Sequence, residues 1–120
     1  MVGTGGVMLP TEAPAVAVVA RLFWALGDPT RLRLLEFLIN GEHSVTECVD
    51  HVGLSQGRVS MHLGHLAECG YVQARRVGRR ALYRIADARV ADVVSAVHLL
   101  AAENCAAPCA CHCAAPRHGP

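Results

Sequence analysis

The sequence predicts a mainly α fold with one small β-hairpin, built as a single domain. Three observations carry this. Apolar residues recur at helical spacing in five separate segments, whereas only residues 71–85 alternate at the period of a strand. Residues that start and stop helices fall at the borders of those segments. The 120 residues suffice for a core, and with 52% hydrophobic but only 4% aromatic residues that core should be mostly Leu, Val and Ala.

The elements follow in order. Residues 1–10 are Gly-rich and read as a flexible start. Thr11 can cap a first helix with Ala13, Val16, Val19, Ala20, Phe23 and Leu26 on one face, stopped by Gly27. Asp28-Pro29 starts a second helix, with Asp as cap and Pro at the first helical position. Leu32, Leu34, Leu35, Leu38 and Ile39 carry it to Asn40-Gly41. Ser44 and Glu47 have the spacing of a capping box, and Val45, Cys48, Val49 and Val52 form the inner face of a short third helix. Gly53 supplies a tight turn. Ser55 caps a fourth helix that buries Val59, Leu63 and Leu66 and ends at Gly70. Tyr71–Arg76 and Ala81–Ile85 read as strands with Gly78 between them, and Asp87 caps a last helix carrying Val90, Val93, Val94, Val97, Leu100 and Ala101. The chain thus divides into a start (1–10), a domain (11–103) and a Cys-rich tail (104–120) that needs a ligand to order it.

Helix, tight turn, helix and basic hairpin, in that order, make a winged helix-turn-helix, whose ligand is duplex DNA. The N-terminal part of the second of these helices faces base edges. Those positions hold Ser55, Gln56, Gly57, Arg58, Ser60, Met61 and His62. Gln pairs with adenine and Arg with guanine, while Gly57 admits a close approach. His62 is read as a DNA contact, with packing as its alternative. Net charge is only +1, yet Arg75, Arg76, Arg79, Arg80 and Arg84 crowd the hairpin, the pattern of a phosphate-gripping wing. The first and last helices carry more apolar surface than one small core hides. A homodimer through them is expected, giving paired half-sites.

Other classes fall away. No apolar run spans a membrane, and the N-terminus has no positive segment of a secretory signal, so the expected compartment is the cytoplasm. There thiols stay reduced, and six cysteines favour metal or redox chemistry over disulfides. No phosphate loop and no nucleophile with a base and orienting group is evident, so no enzyme and no small organic substrate are expected.

Four of the cysteines, Cys105, Cys109, Cys111 and Cys113, lie in the last sixteen residues, with His112 among them. Such spacing lets several sulfurs share one soft ion: Hg(II), Cd(II), Pb(II) or As(III). Cys69 ends the recognition helix, and His65 stands one turn earlier on the same face. Cys48 shares its face with valines, so core packing is its first reading and ligation its second. His43, His51, His98 and His118 have no evident partner.

ALGDPTRLRLLEFL, VGLSQGRVSMHLGHLAECGYV and RRVGRRALYRIAD resemble the ArsR/SmtB repressors over about residues 15–103. The resemblance implies a dimeric winged helix that leaves its operator when metal binds, in control of resistance or efflux genes. The family's alternative metal positions map unevenly onto this chain. The cysteine pair of its arsenic-type site falls on Ser44 and Thr46. Its zinc-type site on the last helix falls on Asp87, Arg89, Leu100 and Glu103, with both histidines missing. The layout of its cadmium and lead sensors, two cysteines on the recognition helix plus one from the partner's tail, falls on His65 and Cys69 with the tail cysteines. The expectation is a repressor released when a thiophilic ion ties Cys69 and His65 to the tail. A thiol-oxidation sensor on the same scaffold and a metal-buffering protein are the alternatives.

Overall fold

The computed structural model describes residues 15–104. The expected start 1–10, the Thr11 cap and the tail cysteines lie outside them. Eight elements run in order: α1 (Val16–Leu26), α2 (Pro29–Ile39), β1 (His43–Ser44), α3 (Val45–Val52), α4 (Gln56–Glu68), β2 (Val72–Val77), β3 (Arg80–Ile85) and α5 (Arg89–Asn104). This is the expected mainly helical fold with its hairpin.

The start signals of α2 and α3 act as read, whereas α1 opens later than the Thr11 cap implied, at Val16 with Ala15 as an extended N-cap that makes no side-chain bond. Asp28 accepts the Arg31 N–H at 2.9 Å and Pro29 opens α2. Ser44 and Glu47 form a full capping box: Ser44 Oγ accepts from Glu47 N at 3.1 Å and Glu47 Oε1 from Ser44 N at 2.8 Å. Gly53 takes the left-handed conformation (φ 74°), where a side chain is disfavoured, and its N–H closes α3 on Val49 O at 2.8 Å.

One element was not foreseen. His43 and Ser44 form β1, paired with Tyr83 and Leu82, so the sheet has three antiparallel strands in the order β1-β3-β2. Two residues are too few to show alternation, and Ser44 already serves as the α3 cap. The hairpin starts one residue later than expected, at Val72. Tyr71 instead closes the exit of α4, its N–H donating to Leu66 O at 2.9 Å and its hydroxyl to Leu22 O at 2.9 Å.

The core gathers Leu34, Leu35 and Leu38 of α2, Cys48 and Val52 of α3, Val59, Leu63 and Leu66 of α4, then Val72, Val90 and Val94. With Ala25 it is mostly aliphatic, as the composition implies, joined by one buried thiol and the ring of Tyr71. Beyond Val72 every β2 residue is exposed, so the hairpin projects from the body.

Candidate nucleic-acid interface and thiol site

In the α3–α4 pair both helix starts are capped and the turn between them is glycine-closed. Ser55 Oγ accepts from Arg58 N at 3.3 Å at the start of α4. Val59, Leu63 and Leu66 anchor that helix on the core, which leaves Ser55, Gln56, Gly57, Arg58, Ser60 and Met61 exposed. Five expected DNA-facing residues (55, 56, 57, 58 and 60) therefore share one open surface.

His62 corrects the expectation. It is only 7% exposed, and Nδ1 lies 4.0 Å from Asp28 Oδ2 with no hydrogen-bond partner. Burial pushes its pKa down, against the opposing pull of Asp28. Positions 59, 62, 63 and 66 form one i, i+3, i+4, i+7 stripe, a signal that was available in the sequence.

The wing divides its arginines. Arg75, expected at DNA, is held by Glu42 in a two-pronged pair at 2.7 and 2.9 Å. The hydrogen bond lowers the Glu42 pKa and raises that of Arg75. Arg84 donates to Gln73 Oε1 at 3.2 Å. Arg76, Arg79 and Arg80 stand exposed around Gly78, with no ion-pair partner among the described residues. The wing's positive charge without an ion-pair partner among the described residues is therefore at its tip.

At its other end α4 carries the two expected donors one turn apart. Cys69 is the C-cap, its N–H bonded to His65 O at 3.1 Å, which fixes the one-turn offset. The thiol is half-buried, with Sγ 4.0 Å from Arg21 O on α1. His65 Nδ1 is buried without a hydrogen-bond partner among the described residues. Its ring meets Trp24 edge-on at 5.6 Å between centroids, and the Arg31 guanidinium lies 4.1 Å from the Trp24 centroid. Helix α1 thus forms one wall of the pair. No group of three or more His, Cys, Asp or Glu suited to a metal gathers among the described residues. Cys105, Cys109, Cys111, Cys113 and His112 lie outside them.

Cys48 packs in the core, its first reading. It is fully buried, and desolvation pushes its pKa up to about 11, which keeps it a neutral thiol. Two of the other family positions are engaged within the protomer. Ser44 is consumed as a cap. Asp87 accepts from Arg89 N at 2.8 Å and pairs with its guanidinium at 2.6 Å, which holds its carboxyl at about 2.

Helices α1 and α5 leave Phe23, Val97, Leu99 and Leu100 exposed by 47–64%. Between these helices lies an apolar cleft of about 270 Å³, lined by Phe23, Leu26, Leu32, Val94, Val97 and Ala101. This is the face on which a dimer was expected.

Capped helices around a glycine turn, an exposed polar face and a basic hairpin define a winged helix-turn-helix domain. The chain belongs to the arsR family of bacterial regulatory proteins, whose profile matches residues 28–74. It is similar to the probable mercury resistance operon repressor of Streptomyces lividans, 50% identical over 104 residues, covering 85% of this chain and 83% of that one. It is also 37% identical over 94 residues to the regulator CmtR of Mycobacterium tuberculosis, covering 78% and 80%. Among solved structures it resembles M. tuberculosis Rv0081 (TM-score 0.74, 32% identity, 79% of this chain and 96% of that one). The homodimeric winged helix-turn-helix domain of Mb0332 from Mycobacterium bovis matches with TM-score 0.70 and 36% identity, over 75% of this chain and 83% of that one. The chain is a transcriptional regulator and not an enzyme, and no helix among the described residues is long and apolar enough to cross a membrane.

Proposed function

We propose that the chain is a cytoplasmic dimeric repressor that binds operator DNA and is released by a thiophilic metal ion, with Hg(II) the first candidate. One observation carries this reading: a single helix bears the open polar face at its N-terminal end and the Cys69–His65 pair at its C-terminal end. The likeness to a mercury resistance operon repressor over most of both chains favours mercury. The exposed apolar faces of α1 and α5 support the dimer, because patches of that kind mark interfaces.

The candidate donors suit a soft ion in kind. Cys69 offers a half-exposed sulfur, His65 an unsatisfied nitrogen, and the tail cysteines the remaining donors. A bound soft ion supplies bonds that join these donors across chain segments. Cys69, once tied to a tail cysteine of the facing subunit, holds the end of α4 against the dimer core. Arg58 and Gln56 then lose their match to the two half-sites. A coupling of about 2–3 kcal/mol between the two sites lowers operator affinity about a hundredfold.

The test is a DNA-release assay with Hg(II), Cd(II), Pb(II) and As(III), on the full chain and on a chain ending at Asn104. The full chain should release with Hg(II) at the lowest concentration, and the shortened chain should fail to respond. An unaltered response after truncation rejects the tail ligands. Release by peroxide with loss of free thiols, and no release by any ion, rejects the metal reading in favour of thiol oxidation.

A further inference from the structure

Helix α4 carries one feature that neither the core nor the thiol site uses. Buried Val59, His62, Leu63 and Leu66 fix its inner face. At about 100° per residue, the opposite line of the helix passes through Gly57, Met61, Gly64 and Glu68. Glu68 lies at the far end, paired with Arg21 at 3.4 Å. Met61 is left as the one large side chain on the outward line within the first turns.

Met61 is also 47% exposed, and it is the one large apolar residue of α4 that stands out in this way. The glycines beside it have no explanation inside the protomer. A Cβ added at Gly57 or at Gly64 meets nothing within 4 Å, so no packing contact demands glycine. Glycine in a helix interior is disfavoured against alanine. Gly64 in the interior and Gly57 in the first turn, three and four positions from an exposed methionine, leave bare backbone on either side of it. In the same N-terminal half of α4 Gln56, Arg58 and Ser60 are polar and exposed, with Arg58 one turn from Met61, a setting that suits base edges better than an apolar protein partner.

The major groove offers one apolar group on its base edges, the 5-methyl of thymine. We propose that Met61 is a specificity-determining residue that packs on a thymine methyl in each half-site. Gly57 and Gly64 allow the helix backbone to come close enough for it to reach. The unbranched thioether chain adapts to that contact. The proposal rests on the reading of the chain as an operator-binding dimer.

The test begins with duplexes selected by the full-length protein from a randomised pool. Each thymine is then replaced by deoxyuridine, which removes the methyl and keeps every hydrogen-bonding group. One buried methyl is worth about fourfold in affinity, so uracil at the symmetric position of both half-sites should weaken binding by about 15-fold. Met61→Ala, a substitution at an exposed helical position, should bind the thymine and uracil duplexes within about twofold of each other. Met61→Leu should retain the discrimination. A flat uracil scan on an enriched duplex, or equal uracil sensitivity in Met61→Ala, overturns the Met61 assignment alone. Failure to enrich any duplex overturns the DNA reading, and the assignment with it.

Discussion

Replacing Arg31 with methionine should destabilise the folded protein by about 2–3 kcal/mol, and the reasons lie in how α1 ends. The carbonyl of Ala25 would normally accept from the residue four positions on, but that residue is Pro29, which has no N–H. Arg31 supplies the missing donor: Nε reaches Ala25 O at 2.9 Å and the guanidinium reaches Trp24 O at 3.2 Å. The same group lies 4.1 Å from the Trp24 ring centroid. A hydrogen bond from a charged donor contributes about 1.5–3 kcal/mol when buried. The second bond is partly exposed, and Trp24 O already accepts from Gly27 N at 3.1 Å, so it is worth about 1 kcal/mol. The cation–π contact adds about 0.5–1 kcal/mol, since Trp24 is half exposed. Removing a buried charge recovers part of its desolvation cost, which brings the sum down to the stated range. Methionine keeps the apolar stem, so the loss isolates the guanidinium. Lysine restores charge but not the planar fork, and should recover less than half. Urea unfolding at fixed protomer concentration measures the difference. A loss below about 1 kcal/mol, or full stability in Arg31→Lys, refutes this account of the α1 terminus.

Three further outcomes follow from the same geometry. Cys48→Ala should leave unchanged the number of thiols modified by Ellman's reagent under native conditions, because its thiol is buried and its pKa lies at about 11; one fewer reactive thiol contradicts this. Arg79→Ala should reduce the salt dependence of DNA binding by about one unit of slope, while Arg75→Ala, already paired with Glu42, should leave the slope unchanged. Stability should fall in two stages on acidification. The burial-lowered His62 contributes fully above its ordinary 6.5 and loses that contribution as the pH falls below it. The carboxylates of Glu42, Glu47 and Asp87, all lowered by their hydrogen bonds, lose theirs between about 4 and the Asp87 value of about 2. Thermal melts across pH should show both steps, and His62→Gln should remove the upper one; melting temperatures that rise below pH 6 contradict the sign.

Most of the fold was legible because its signals are local. Asp28-Pro29, the Ser44–Glu47 box and Gly53 each act within four residues, and each sits in the structure as its spacing implied. What escaped depends on distant partners. β1 exists only through Tyr83 and Leu82, and Arg75 is diverted by Glu42, thirty-three residues away. His62 is a different case: its polarity suggested a groove contact, while its position in the inner stripe decided for burial. The pairing of His65 with Cys69 could be read from helical spacing. The Trp24 wall against it could not, because nothing in the sequence of α1 shows that it crosses the end of α4.

The central claim is that the recognition helix is also the sensing helix. Operator affinity of the full chain and of Cys69→Ser, each with and without one equivalent of Hg(II), tests it most directly. Wild type should lose about a hundredfold in affinity with the ion, and Cys69→Ser should stay within about threefold of its metal-free value. Equal release of both proteins would show that sensing does not pass through α4.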